Sequence, residues 1–393
     1  MTDAIYADEY DLFSLSTPMF KITKPIRLIE LFAGIGSQAK ALQNLGADFV
    51  RWKAVEFDKY ALRSYNAIHG TDFEVSDIRD IHATDLEITD TDKFCYIMTY
   101  SFPCQDLSIA GQMKGMRKGS STRSGLLWEV ERILDECDNL PQVLLMENVP
   151  MVISKKNLKD FQSWRLKLEQ LGYSNFVQLL NAKDYGVPQN RNRCFMVSIF
   201  GNYSYQFPAS VELNKRLKDV LEESVNRKYF LSLEKISKSI EDYMQKSHMV
   251  SCADSTKPIR LFNIDGEYGT GFSGNVWEKE CIAPTIMTFQ GGNKQPMVIV
   301  DDLVPCDYRQ DKGIMVRKNG MMPCLRQGGG GQALLLKGKT IRKLTPRECW
   351  RLMDFTDEDF DKAQKVNSDS QLYKQAGNSI VVKVLEEIFK EML

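Results

Sequence analysis

Apolar positions along the first half of this chain fall into two alternating rhythms. Short, nearly continuous apolar runs occur at "IRLIELF" (26–32), "WKAVEFD" (52–58), "FCYIMTY" (94–100), "QVLLMENV" (142–149) and "RCFMVSIF" (193–200). Their length suits strands and is too short for buried helices. Between them apolar residues recur every three or four positions. "GSQAKALQNLG" (36–46), "KYALRSYNAIHG" (59–70), "LLWEVERILDEC" (126–137) and "FQSWRLKLEQLGY" (161–173) therefore predict helices, the first closed by Gly46. Strands alternating with helices predict an α/β fold with a parallel sheet covered by helices.

The texture changes after about Pro208. The stretch 217–244 is helix-prone. From Ser251 to Leu336 come short β-rich runs broken by glycine, such as "DGEYGTGFSG" and "RQGGGGQALLL". Helical texture returns in "TPRECWRLMDF" and "NSIVVKVLEEIFKEML". This predicts three segments: 1–210 as the first part of a large domain, 211–337 as a smaller, irregular, β-rich domain, and 338–393 as a return to the first. The weak echo between "APTIMTFQGGNKQP" and "MPCLRQGGGGQ" does not make a repeat protein.

Composition narrows the class. Apolar residues at 43% and charged residues at 26% are ordinary for a globular protein. No run reaches the roughly 18 apolar residues of a membrane span, and the acidic N-terminus lacks a signal pattern. A cytoplasmic location without membrane contact is expected. Nine cysteines, an odd number with no CxxC pair, argue against a disulfide framework. Three histidines make a zinc site, or any metal site, unexpected. The net charge of −1 by itself calls for no nucleic acid. Yet residues 111–124 carry Lys114, Arg117, Lys118 and Arg123 and no acid, which suits either a solvated loop or a phosphate-facing one.

Chemistry gathers where strands end. "ELFAGIGSQA" places Gly34 and Gly36 between strand and helix, with Ala39 completing G-x-G-x-x-A. Glycines there let a nucleotide-like ligand approach the backbone, and Glu56, twenty residues beyond Gly36, can hold ribose hydroxyls. NAD and S-adenosylmethionine both suit this pattern, as does a tight turn without ligand. Asp77 in "SDIRD" could accept from an adenine amino group, or be an ordinary loop acid. "SFPCQDLSIAG" puts Cys104 after one strand, and "LLMENVP" ends another in Glu147 and Asn148. A glutamate buried unpaired in mid-strand is costly, whereas one at the carboxyl end of a parallel strand faces the ligand crevice. "PQNRNR" supplies Arg191 and Arg193, one of which could reach the same rim. A thiol, an acid and an arginine beside an adenosyl site suit methylation of cytosine carbon-5. The thiolate attacks carbon-6, the acid serves N3 and the arginine holds O2. Such a base has to be flipped out of its duplex.

In this order the motifs resemble those of the cytosine carbon-5 DNA methyltransferases. "LFAGIG" is similar to the family's first cofactor motif, "PCQ" to its nucleophile motif, and "ENV" and "QNRNR" to the next two. "RKLTPRECWRLMDF" and "QAGNSIVVKVLEEIF" resemble its last two. Residues 1–24 and 206–337 are outside the match. The resemblance implies a Rossmann-like methyltransferase domain, a target-recognition domain in the variable segment, and a C-terminal helix folded back on the first domain. It implies Cys104 as nucleophile, Glu147 at N3 and Arg193 at O2, with Arg191 structural or phosphate-facing. For S-adenosylmethionine it implies Phe32, Gly34, Ile35, Gly36, Glu56, Phe57, Asp77, Ile78, Pro103, Leu126 and Asn378. For double-stranded DNA it implies Gln105, Ser108, Lys114, Arg117, Lys118 and Arg123, with Gln290, Asn293, Lys294, Arg326 and Gln332 as candidate base readers. Ser37 and Phe57 stand where the family commonly has glycine and tryptophan. A monomer is expected, either accompanied by a restriction endonuclease or solitary or phage-borne. A nicotinamide dehydrogenase, a non-enzymatic DNA-binding relative and an RNA methyltransferase stay open as rivals.

Overall fold

The computed structural model describes residues 17–103, 116, 118, 123–231, 255–264, 273–288, 294–309, 313–316 and 332–393. Within these, the side chains of 123, 303–309, 313–316 and 332–338 are outside the description. The chain forms two compact units. The first comprises residues up to 181, 192–210 and 380–393; the second comprises 182–191 and 211–379. The chain thus re-enters the first unit at Ile380, later than the 338 suggested by texture.

The first unit is built on a six-stranded sheet. Its strands are β1 (Ile26–Leu31), β2 (Phe49–Val55), β3 (Cys95–Tyr100), β4 (Val143–Asn148), β5 (Tyr173–Asn181) and β6 (Asn192–Phe200), in the order β2-β1-β3-β4-β6-β5. β1 runs parallel to β2 and β3, and β3 parallel to β4. β6 is antiparallel to both β4 and β5. The sheet is mostly parallel, as the α/β reading requires; the one reversed strand is β6, between β4 and the edge strand β5. An apolar run states that a strand is buried and leaves its direction open. β5 was missed because its half-buried, mixed sequence "YSNFVQLLN" follows a helix without a turn signal beyond Gly172.

Helices α1 (Ser37–Asn44), α2 (Lys59–His69), the short α3 (Ala83–Leu86), α4 (Leu127–Glu136) and α5 (Leu158–Gln170) connect the strands. β3 and β4 are buried along their whole length. Their side chains meet Leu127, Val130, Phe161, Trp164 and Leu168 from α4 and α5 in one core. Trp164 Nε1 donates to Tyr100 Oη at 3.0 Å, so the core's largest ring is polar-satisfied as well as packed. Among the described residues no helix is long and apolar enough to cross a membrane.

The second unit carries β7 (Arg260–Asn263), β8 (Asn275–Trp277), β9 (Met297–Arg309), β10 (Gly313–Val316) and β11 (Gln332–Lys343), with β9 and β11 a long antiparallel pair. Helices α6 (Pro346–Arg351), α7 (Asp357–Gln364) and α8 (Asp369–Asn378) follow. Thr345 and Glu348 form a capping box at α6, with Pro346 in its first turn. The expected helix over 217–244 is absent from its described part. Residues 217–220 and 227–229 form separate 3₁₀ turns, because the Glu222 amide donates to the buried Glu348 carboxylate at 2.8 Å instead of to a helical carbonyl. The last helix, α9 (Val382–Lys390), belongs to the first unit. It lies on α1, where Asn44 Nδ2 donates to Glu386 Oε1 at 2.7 Å.

One buried acid marks the first unit. Glu30, in β1, is fully buried, and burial pushes its carboxyl up to about 7 despite hydrogen bonds from Tyr65 and the Ala39 amide. A folded-state value above the ordinary one means that the folded state holds the proton longer than the unfolded chain does. Stability should therefore fall as pH rises from about 4.5 towards 7, by up to roughly 3 kcal/mol from this group alone. Urea titrations of the wild type and Glu30→Gln across that window check this: the variant should lose the decline.

Candidate active site

Parallel strands deliver their carboxyl ends to one edge of a sheet. Leu31, the last residue of β1, pairs with Val55 and with Tyr100, and Tyr100 pairs with Met146. The segments that follow β1, β2, β3 and β4 therefore leave from the same edge. These carry Gly34, Glu56, Pro103 and Glu147. Because β6 runs the other way, it begins where β4 ends, and Glu147 pairs with Phe195. Arg193, two residues earlier on β6, is its diagonal neighbour on the same face. Arg193 Nε lies 3.0 Å from Glu147 Oε1, with side chains 16% and 10% exposed. Arg193 also donates to the Asn192 carbonyl at 2.8 Å.

Two residues to which the sequence assigned no role, Asn148 and Ser124, hold the start of the turn after β3. Asn148 Nδ2 donates to the Phe102 carbonyl at 2.9 Å, while its Oδ1 accepts from the Val149 amide. Ser124 Oγ donates to the Pro103 carbonyl at 2.7 Å. The two peptides before Cys104 are thus gripped from two elements. Asn148 follows Glu147 directly, a signal that was present; Ser124 lies inside the cationic stretch and gave none.

Cys104, Gln105, Ser108, Lys114 and Arg117 lie outside the described residues, as does the Arg123 side chain. Lys118 is described: its ammonium lies 2.6 Å from Glu131 and over the Trp128 ring, and Trp128 Nε1 donates to the Met116 carbonyl. Of the candidate base readers, Gln290, Asn293, Arg326 and the Gln332 side chain are outside the description, and Lys294 is exposed. The described thiols do not compete with Cys104. Burial pushes Cys95 and Cys194 up to about 12 and Cys137 up to about 11, and holds Cys349 well above the usual thiol range. For Cys194 the nearby Glu147 charge adds to the effect. Cys281 is disulfide-bonded.

The glycine loop is strained and tightly held. Phe32, Gly34 and Gly36 all have left-handed backbone, with φ of 58°, 58° and 79°. For a phenylalanine that conformation costs on the order of 1–3 kcal/mol and is typical of functional sites. Glu56 accepts from the Gly34 amide at 2.8 Å and from the Asp58 amide at 2.7 Å. A side chain added at Gly34 would meet nothing within 4 Å, so the loop borders open space. Phe57 stands 71% exposed beside Glu56. Asp77 caps the turn Ile78–Asp80, and the hydrogen bonds from Arg79 hold its carboxyl below the ordinary value. Ile78 is buried, and Leu126 packs on the core at the start of α4.

This set of groups suits a nucleoside with a diol, a flat base and a positive charge. Among the described residues no three His, Cys, Asp or Glu side chains are grouped to hold a metal.

Two expected site residues belong to the second unit. Arg191 is buried there and donates to the carbonyls of Ile286, Gly377 and Ser379 at 2.8–2.9 Å. This is the structural one of the two roles expected of it, and a catalytic use is not retained: its guanidinium is spent on carbonyls. Asn378 sits between two of those carbonyls, and its Oδ1 accepts from Thr288 Oγ1 at 2.8 Å.

Comparison with known proteins supplies the context. The C-5 cytosine-specific DNA methylase family matches residues 26–393. The type II methyltransferase M2.ScrFI of Lactococcus lactis subsp. cremoris is 33% identical over 93% of this chain and 99% of its own. The type II methyltransferase M.HhaI of Haemophilus parahaemolyticus is 31% identical over 92% and 93%, and the orphan methyltransferase M.SssI of Spiroplasma monobiae 32% identical over 87% and 75%. Among solved structures, the Entamoeba histolytica methyltransferase EhMeth aligns with a TM-score of 0.64 at 16% identity, covering 94% and 98% of the two chains. The S. pombe Dnmt2 methyltransferase aligns at 0.59 and 18%, covering 93% and 97%.

The grip on the turn after β3 is testable without any substrate. Asn148→Ala removes both bonds of the buried amide and strands the Phe102 carbonyl. It should cost roughly 1–3 kcal/mol, read as a lowered urea midpoint. Leu166→Ala, on the exposed side of α5, should leave the midpoint within error.

Proposed function

The chain belongs to the C-5 cytosine-specific DNA methylase family and is a DNA (cytosine-5-)-methyltransferase; from that premise we propose that it flips a cytosine out of duplex DNA and attacks its carbon-6 through the Cys104 thiolate. The observation that carries this reading is the Glu147–Arg193 pair at the end of β4, one strand away from the gripped turn that leads to Cys104.

In this reading Glu147 meets N3 and the exocyclic amine of the flipped ring, and Arg193 holds O2. Their mutual ion pair keeps both charges in place before the base arrives, so little rearrangement is needed when charge develops on the ring. Free cysteine is mostly protonated at neutral pH, so Cys104 acts only where its surroundings favour the thiolate. S-adenosylmethionine, on which the family depends, would supply an electrophilic methyl group. Gly34, Ile35 and Gly36 with Phe32 would receive its methionine end, Glu56 its ribose, and Phe57, Asp77 and Ile78 its adenine, with Pro103 and Leu126 completing the pocket; Asn378 is the residue of the second unit that the family resemblance adds. Asp77 would do so only through the acceptor capacity that Arg79 leaves.

The cationic stretch 111–124 would face the phosphates, and the second unit's β-rich part would read the sequence from the major groove. Lys118, whose ammonium is exposed, would meet a phosphate while it stays paired with the buried Glu131. The relatives' names include both type II and orphan methyltransferases, which is compatible with action on double-stranded DNA with or without a companion endonuclease; in this reading the chain acts as a monomer.

The nucleophile gives the test. Fluorine at carbon-5 cannot leave as the proton does, so DNA bearing 5-fluorocytosine should trap a denaturant-stable complex that depends on S-adenosylmethionine. Cys104→Ser should lose both the complex and turnover while keeping cofactor binding, since an alcohol is scarcely ionised at neutral pH. Methylation by the serine variant at the parent rate would reject Cys104.

A further inference from the structure

Behind the glycine loop lies a polar cluster that the proposed reaction does not use. Helix α1 has no side chain to cap it, since its cap residue is Gly36. Glu30 serves instead, six residues upstream in β1. Its Oε1 accepts from the Ala39 amide, in the first turn of α1, at 3.2 Å. Helix N-termini need such acceptors and favour a carboxylate. The other oxygen, Oε2, accepts from Tyr65 Oη at 2.5 Å. Tyr65 and His69 are one turn apart on α2, with ring centroids 4.6 Å apart. His69 Nε2 lies 3.1 Å from the Ile35 carbonyl, which can only accept, so Nε2 carries the proton.

The approach is close. A side-chain carbon at Gly36 would lie 2.2 Å from His69 Nε2 and 2.7 Å from the Tyr65 ring. Gly36 therefore lacks a side chain for two reasons: its left-handed φ and the rings behind it. Three residues thus hold this short loop from different sides. Glu56 takes the Gly34 amide, His69 the Ile35 carbonyl, and Glu30, steadied by Tyr65, the first turn of α1.

We propose that Tyr65 and His69 are positioning residues for this loop, setting cofactor affinity from α2 without touching the cofactor. This rests on reading residues 32–36 as the cofactor loop. The loop's left-handed residues give it little intrinsic preference for the held shape, so loss of a prop shifts the loop and leaves the methyl-transfer groups at the ends of β3 and β4 unmoved. The expected signature is a change in cofactor binding with turnover preserved.

The experiment measures S-adenosylmethionine Kd by calorimetry, and kcat and both KM values by methyl transfer, for four variants. Tyr65→Phe keeps the ring and removes the bond to Glu30. His69→Phe keeps a ring and removes the bond to Ile35, and His69→Gln restores an N–H donor. Tyr65→Phe and His69→Phe should each raise Kd and KM for S-adenosylmethionine by about tenfold, with kcat and the KM for DNA within about twofold. His69→Gln should recover most of the loss. Unchanged Kd in both ring-preserving variants would overturn the proposal. So would a fall in kcat that tracks a fall in melting temperature, because that marks general destabilisation. Glu56→Ala separates the layers. If it binds S-adenosylmethionine as the wild type does, the cofactor reading itself is wrong; if it binds weakly while the α2 variants bind normally, only the positioning role is wrong.

Discussion

The Glu147–Arg193 ion pair sets the terms for the rest of the first unit. A carboxylate at the end of a fully apolar strand cannot stay charged unless a cation meets it. On this sheet the cation comes from β6, and it arrives only if β6 runs antiparallel to β4 with Glu147 opposite Phe195. A parallel β6 would carry Arg193 to the far edge. The reversal also explains β5, which joins β6 as an antiparallel partner and closes the sheet. One pair of charges thus requires the single departure from parallel order, and the same pair supplies an acid and a cation, already oriented, at the edge where β1, β2 and β3 also end.

Held geometry recurs on the cofactor side of that edge. The loop after β1 spends conformational energy on three left-handed residues, one of them phenylalanine. It persists because its own Gly36–Ala33 backbone bond is reinforced from outside: by Glu56, by His69 and, through α1, by Glu30. Glu30 itself is kept by its hydrogen bonds against a burial that pushes its carboxyl up to about 7. The loop's shape is therefore a property of β1, β2 and α2 together rather than of its own sequence.

Much of this was legible beforehand, and what was not has identifiable causes. The strand ends that carry Gly34, Pro103 and Glu147 could be read because parallel strands place such features on one rim. Strand direction could not, because apolar runs look alike in both senses, so the sense of β6 stayed open and β5 was missed. Arg191 and Arg193 are near-identical in sequence. Arg193 enters β6 and meets an acid, while Arg191 precedes it and is spent on three carbonyls. That difference is made by residues nearly a hundred or more positions away. The stretch after Leu217 has helical composition, yet the Glu222 amide is claimed by Glu348, so propensity lost to a tertiary hydrogen bond.

Charge is distributed in a way that the net value of −1 conceals. The carboxyl edge of the sheet holds Glu56 and Glu147, the first held by backbone amides and the second by Arg193. Two carboxylates on one edge favour a sulfonium over a phosphate. Residues 111–124 hold four cations and no acid, which favours the opposite. A methyl donor that is a cation and a substrate that is a polyanion need such separate fields, because a single field attractive to both does not exist. Lys118 stands between the two: its ammonium is exposed and lies over the Trp128 ring, yet it compensates the buried Glu131 carboxylate, so its charge is anchored to the protein while it faces solvent.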